Sequence, residues 1–241
     1  MPEAPEPVPD APPPRIVYRH RLVTRVWHWI NAVAVIVLIG SGLTISNAHK
    51  RLYWGDYGAN YDHAWLEVPR WPGWLTIPSL YNLAAARSWH LTFALVLAFG
   101  LLIYLIWSLA NRHIQRDLRV RKDELAPRHL LDDLKAHLAL RFHDPANPAA
   151  YNIFQKLSYA GVLFVLLPVL VFSGLALSPG MDAGWPWLID IFGGRQSARS
   201  VHFIAMALLT LFIVVHLTLV ILAGALNEVR SMITGKWEVP E

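Results

Sequence analysis

Four apolar runs decide the architecture. They cover about 26–46, 88–110, 157–178 and 199–224. A helix that crosses the hydrocarbon core of a bilayer needs about 20 mostly apolar residues, and each run is that long. None contains an acid or a lysine, and the single arginine, Arg199, sits at an end. Spanning strands are excluded by the length of the runs and by the lack of apolar–polar alternation. The expected fold is all-α: an integral membrane four-helix bundle. Composition agrees, with 55% hydrophobic and 16% charged residues, against about 25% charged in a typical soluble domain.

The cationic residues orient the bundle. Arg15, Arg19, Arg21 and Arg25 precede or open span 1, nine Lys and Arg lie in 111–156, and Arg230 and Lys236 follow span 4, which puts fifteen of 21 on one side. The positive-inside rule places both termini and segment 111–156 in the cytoplasm. Loops 47–87 and 179–198 then face outward. They carry Trp54, Trp65, Trp71, Trp74, Trp185 and Trp187, suited to headgroup depth or to a docking face. The length of the first loop favours a protein partner.

The chain divides into a Pro-rich tail expected to be disordered (1–17), a four-span domain (18–232) and a C-terminal tail (233–241). The tail has no apolar core and is not a signal peptide. Within 111–156, Leu130, Leu131, Leu134 and Leu138 recur at helical spacing beside basic residues, the pattern of a helix lying on the membrane surface. The absence of cysteine removes disulfides, thiolate metal sites and Cys-held clusters from this chain. No nucleic-acid partner is expected. The sequence gives no signal of a catalytic acid–base pair or nucleophile triad, so any substrate chemistry is expected to belong to another chain.

Titratable groups inside a membrane are costly and functional by default. Of eleven histidines, four lie in the spans: His28, His90, His202 and His216; the other seven, among them His20, His49 and His63, fall in polar segments and are expected to be solvated. Spans 2 and 4 run from outside to inside, and His90 and His202 each lie within a turn of the start. His216 follows His202 by 14 residues, roughly 21 Å deeper on nearly the same helix face. That is the depth of His28, near the inner start of span 1. Two depth-matched pairs result, His90 with His202 and His28 with His216. Two imidazoles on facing helices meet the need of bis-histidine haem ligation, which leaves the iron no open position and suits it to electron transfer. A zinc site is a poorer match, since zinc takes three or four protein ligands. Gly40, Ser41, Gly42 and Gly174 provide small residues that a porphyrin cavity requires.

Two repeats support this arrangement. ARSWH (86–90) and ARSVH (198–202) open spans 2 and 4, and SGLTIS (41–46) and SGLALS (173–178) close spans 1 and 3. They suggest two related helical hairpins. Arg87 and Arg199, one turn outward of the outer histidines, would meet haem propionates or lipid phosphates. The repeat is imperfect: span 3 has no counterpart of His28, and Tyr104 stands on span 2 where span 4 has His216.

With RxWHWxN at 25–31, one His on span 2, two His 14 apart on span 4, and YNxxQK at 151–156, the chain resembles the di-haem cytochrome b subunits of bacterial formate dehydrogenase (gamma), nickel–iron hydrogenase and thiosulfate reductase, the last branch most closely. The resemblance covers about 18–232. It implies two b-type haems with the same histidine pairing and a place in the bacterial inner membrane. It also implies quinone chemistry near the inner haem, with Asn152 and Gln155 as contacts, and a periplasmic oxidoreductase partner that is molybdopterin-dependent or iron–sulfur. An amide can bond a quinone carbonyl without burying a charge, and Asn152 can equally cap span 3. The implied function is a membrane electron-transfer subunit between that partner and the quinone pool. The alternatives are a stand-alone cytochrome b oxidising a small donor and a haem-free membrane anchor.

Overall fold

The computed structural model describes residues 15–59, 61–78, 82–112, 114, 119–121, 124–139 and 152–239. Four long helices dominate it: α1 (Leu22–Ala48), α2 (Leu83–Ala110), the third span Ile153–Leu177, and α8 (Arg195–Leu222). Each begins at least a turn before the apolar run that announced it, because the flanking polar residues continue the helix into the interface. The third span is composite. It runs as α4 (Ile153–Gly161), one π turn (Val162–Leu166) and α5 (Leu167–Leu177). Leu167 N–H reaches back five residues to Val162 O. Pro168 explains the wide turn: its missing N–H and bulky ring do not fit a regular helix interior.

The bundle is apolar outside as well as inside. Val35, Leu97, Leu101, Tyr104, Leu163, Leu167, Leu170, Ala205 and Leu209 form the core. Meanwhile Ile36, Leu95, Ile103, Val165 and Leu211 face outward. A water-soluble bundle would bury such a surface, and a bilayer requires it. Close packing runs between α1 and α2 and between α5 and α8, the two hairpins suggested by the repeats. The helices that carry each histidine pair, α2 with α8 and α1 with α8, lack this close backbone approach and meet through side chains of the shared core.

The outer end is closed by the first loop. Strand β2 (Arg51–Leu52) pairs antiparallel with β3 (Leu66–Glu67), and the loop folds onto the start of α8. Gly55 O accepts from Gln196 N–H and Ser197 N–H, two donors that a helix N-terminus leaves unmet. Ser197 Oγ accepts from Gly55 N–H at 2.7 Å. Gly194, at φ 109°, permits this approach, since a side chain there would strike the Gly55 backbone. Trp65 Nε1 donates to Ser200 Oγ, which donates to Tyr53 O at 2.6 Å. Short helices α6 (Pro179–Gly184) and α7 (Trp187–Ile191) complete the outer face.

At the inner end, β1 (Ile16–Tyr18) pairs antiparallel with β4 (Lys236–Glu238). The segments just before span 1 and after span 4 therefore lie on one side, as four spans require. Strand β1 straddles the compositional boundary at 17, and β4 lies beyond the boundary at 232. Helix α9 (Ala225–Thr234) turns into β4 through Gly235, at φ 82°. Trp29 Nε1 donates to Met232 O at 3.0 Å, and Arg25 donates to Ile233 O, so α1 caps the last carbonyls of α9. Arg19 pairs with Glu228 at 3.2 Å and lies over the fully buried Trp237 ring. The amphipathic segment forms α3 (Pro127–Leu138), with Leu131 and Leu134 exposed.

Candidate functional site: two facing histidine pairs

The four span histidines meet two by two. The His90 and His202 ring centres are 6.1 Å apart with planes inclined at 66°, and those of His28 and His216 are 6.5 Å apart at 59°. Helix α8 supplies one ring to each pair; α2 supplies the outer partner and α1 the inner. These separations can be tested against a bridging metal. Two metal–imidazole bonds of about 2 Å, each extended by the roughly 1.1 Å from ring nitrogen to ring centre, put the centres about 6 Å apart. Both pairs fit. Among the described residues no group of three or more His, Cys, Asp or Glu could hold a metal ion, so the two-ligand arrangement is the one these residues offer.

The surroundings differ by level. At the outer level, Ser41 Oγ lies 3.0 Å from His90 Nδ1, and Ser173 Oγ lies 2.9 Å from His202 Nδ1. A Cβ on Gly42 would stand 3.5 Å from His90 Cε1, and one on Gly174 would stand 3.3 Å from His202 Cε1. These two glycines let the rings lie against the neighbouring helix. Gly40 serves another purpose: Ile77 of the outer loop fills its space, so close that a Cβ would come within 2.7 Å of it. At the inner level, His28 Nδ1 is buried and has no hydrogen-bond partner among the described residues. Phe212 stacks on His216 with centres 5.9 Å apart. Tyr104 is packed on Trp27 at 4.1 Å; an aromatic stack occupies the place that a third inner histidine would take.

The remaining site residues lie at the two ends. Arg199 Nη1 donates to Gln196 Oε1 at 3.0 Å, and Arg87 is exposed at the mouth of α2. Burial first, then the positive charges of Arg199 and Arg87, holds the His49 imidazole below its ordinary value. His49 therefore belongs to the same cationic cluster as the two arginines. The pentapeptide echo is only partly structural: Ser200 is fully buried and ties down the outer loop, whereas Ser88 is exposed and bonds its own helix at Ala84 O. At the inner end, Asn152 Oδ1 accepts from Gln155 N–H at 2.9 Å, and Gln155 Oε1 accepts from Asn152 N–H at 3.3 Å. This is a complete capping box at the start of α4. Tyr151 of the same motif lies outside the described residues. Nor does the expectation of a solvated His20 hold, since burial, then the Arg19 charge, lowers it to about 4. His63 and His129 are exposed, while His113, His143 and the His137 side chain lie outside the described residues.

Comparison with known proteins places the chain in a family. The family described as prokaryotic cytochrome b561 matches residues 19–235. A putative protein-methionine-sulfoxide reductase subunit of Azospira oryzae is 30% identical over 88% of this chain and 93% of its own length. A probable Ni/Fe-hydrogenase B-type cytochrome subunit of Cupriavidus necator is 22% identical over 92% and 86%. The putative cytochrome YdhU of Escherichia coli is 27% identical over 91% and 74%. No solved structure matches the chain.

Proposed function

The chain belongs to the prokaryotic cytochrome b561 family of b-type haem electron-transfer subunits of the bacterial inner membrane, and on that premise we propose that it carries two b-type haems and links a periplasmic oxidoreductase to the quinone pool. His90 and His202 hold the outer haem, and His28 and His216 hold the inner one. Haem held by these residues would supply one-electron transfer. The observation that carries the reading is the double coincidence of ring spacing, 6.1 and 6.5 Å, on two levels of one helix. Arg87 and Arg199 neutralise the propionates of the outer haem. At the cytoplasmic mouth, Asn152 and Gln155, whose oxygens close the capping box, are the residues assigned to the quinone.

A separate partner is supported by two of the relatives, which are named as subunits of a hydrogenase and of a reductase. The Trp-rich outer loop, braced on α8 by Trp65 and Gly55, offers that partner a fixed surface. The deciding experiment is haem stoichiometry on the folded, purified chain by pyridine haemochrome assay with a reduced-minus-oxidised spectrum. Two haems per chain are expected; one or none overturns the reading.

A further inference from the structure

The outer histidines are seated by two matching devices. Ser41 and Ser173 are both fully buried. Ser41 Oγ donates to Val37 O at 2.6 Å, and Ser173 Oγ donates to Val169 O at 2.6 Å, each one helical turn back. A hydroxyl has one proton to give and two lone pairs to offer. With its proton committed to the carbonyl, each hydroxyl can only accept from the imidazole Nδ1 beside it. The carbonyls of Leu38 and Leu170 lie 3.2 and 3.3 Å from the same hydroxyls. Every acceptor at this edge of the ring therefore asks Nδ1 to carry the proton. A neutral imidazole has only one, so Nε2 is left as a bare lone pair. The next residue is glycine in both cases, and nothing stands between the ring edge and the helix.

We propose that Ser41-Gly42 and Ser173-Gly174 are paired histidine seats, in which each serine is a positioning residue that fixes the Nδ1–H tautomer of its outer ligand and raises the ligand's basicity. The proposal rests on the haem reading above. It makes the two levels chemically unequal, because His28 Nδ1 has no such acceptor among the described residues. An imidazole that donates Nδ1–H is a stronger donor to the metal through Nε2. The seats therefore favour the oxidised over the reduced outer iron.

The test is an optical redox titration of the full chain in lipid nanodiscs, comparing wild type with Ser41→Ala, Ser173→Ala, the double variant, and Ser41→Thr and Ser173→Thr. The alanine variants are expected to keep both haems. The reduced-to-oxidised ratio of the outer component at fixed potential should rise up to about tenfold, equivalent to 59 mV for a one-electron couple. The shift should grow in the double variant, leave the inner component in place, and be restored by threonine. Loss of the outer haem in the alanine variants with retention in the threonine variants also supports the seat. An unmoved outer midpoint at full haem content overturns it, as does equal loss in alanine and threonine variants. Absence of haem from the wild-type chain would instead overturn the reading beneath it.

Discussion

Gly174 leaves room for His202: a β-carbon at that position would stand 3.3 Å from the imidazole Cε1, whereas the matching distance from Gly42 to His90 is 3.5 Å. The first contact is tight and the second is ordinary. Gly174→Ala is therefore expected to push the His202 ring and cost about 1–3 kcal/mol of local packing, read as partial loss of the outer haem. Gly42→Ala should be close to neutral. Haem content and the outer spectral component, measured on both variants at equal protein, check the order; equal losses would contradict it.

The pairing predicts which variants share a phenotype. His90→Ala and His202→Ala should each remove the outer component and leave the inner one, and His28→Ala and His216→Ala should do the reverse. Low-temperature difference spectra separate the two components. If the His28 and His90 variants lost the same component, the two pairs would have to be redrawn.

Asn152 has a structural duty that must be separated from any contact with quinone. Asn152→Ala removes the cap and should cost about 0.5–2 kcal/mol, lowering yield and haem content together. Asn152→Ser keeps a capping oxygen but loses the amide N–H. It should fold and load haem normally, and its reoxidation by quinone in stopped flow should slow several-fold. A serine variant with an unchanged quinone rate would leave Asn152 as a cap alone.

His20 makes stability depend on pH. Its folded value, about 4, lies below its ordinary value of 6.5 because burial, then Arg19, opposes charge. The unfolded chain therefore binds the extra proton first as pH falls. The contribution is fully present above about pH 6.5 and declines between 6.5 and 4, by at most about 3 kcal/mol. Thermal unfolding in detergent should show this loss in wild type and a flatter profile in His20→Gln. Identical profiles would exclude His20 as the cause.

Much of the bundle was legible in the residues because lipid permits few solutions to a 20-residue apolar run. The four spans and the two hairpins follow from that constraint. The meeting of the histidine rings follows from the fixed rise of a helix, which turns a spacing of 14 into a depth. What escaped the reading depends on how each helix is rotated and on contacts far along the chain. Ser41 and Ser173 were visible within a repeated motif, yet only as small residues; that their hydroxyls point at Nδ1 is a property of two helices together. Gly40 looked equivalent to Gly42, but the loop side chain of Ile77 claims it. Ser88 and Ser200 share a pentapeptide and have opposite surroundings. The β1–β4 ribbon joins three-residue segments from the two ends of the chain, too short for any periodic signal.

That ribbon also sets a schedule. A ribosome makes Ile16–Tyr18 before all four spans and Lys236–Glu238 after them. The first strand cannot find its partner until all four spans have been made. Helix α1 can dock on α2 early, but its inner end, with Arg25 and Trp29 reaching for α9, waits for the segment that follows span 4. His28 and His216 lie beside that last joint, while His90 and His202 are framed by loops finished sooner. The joint beside the inner histidine pair is thus the one whose parts are completed latest in synthesis.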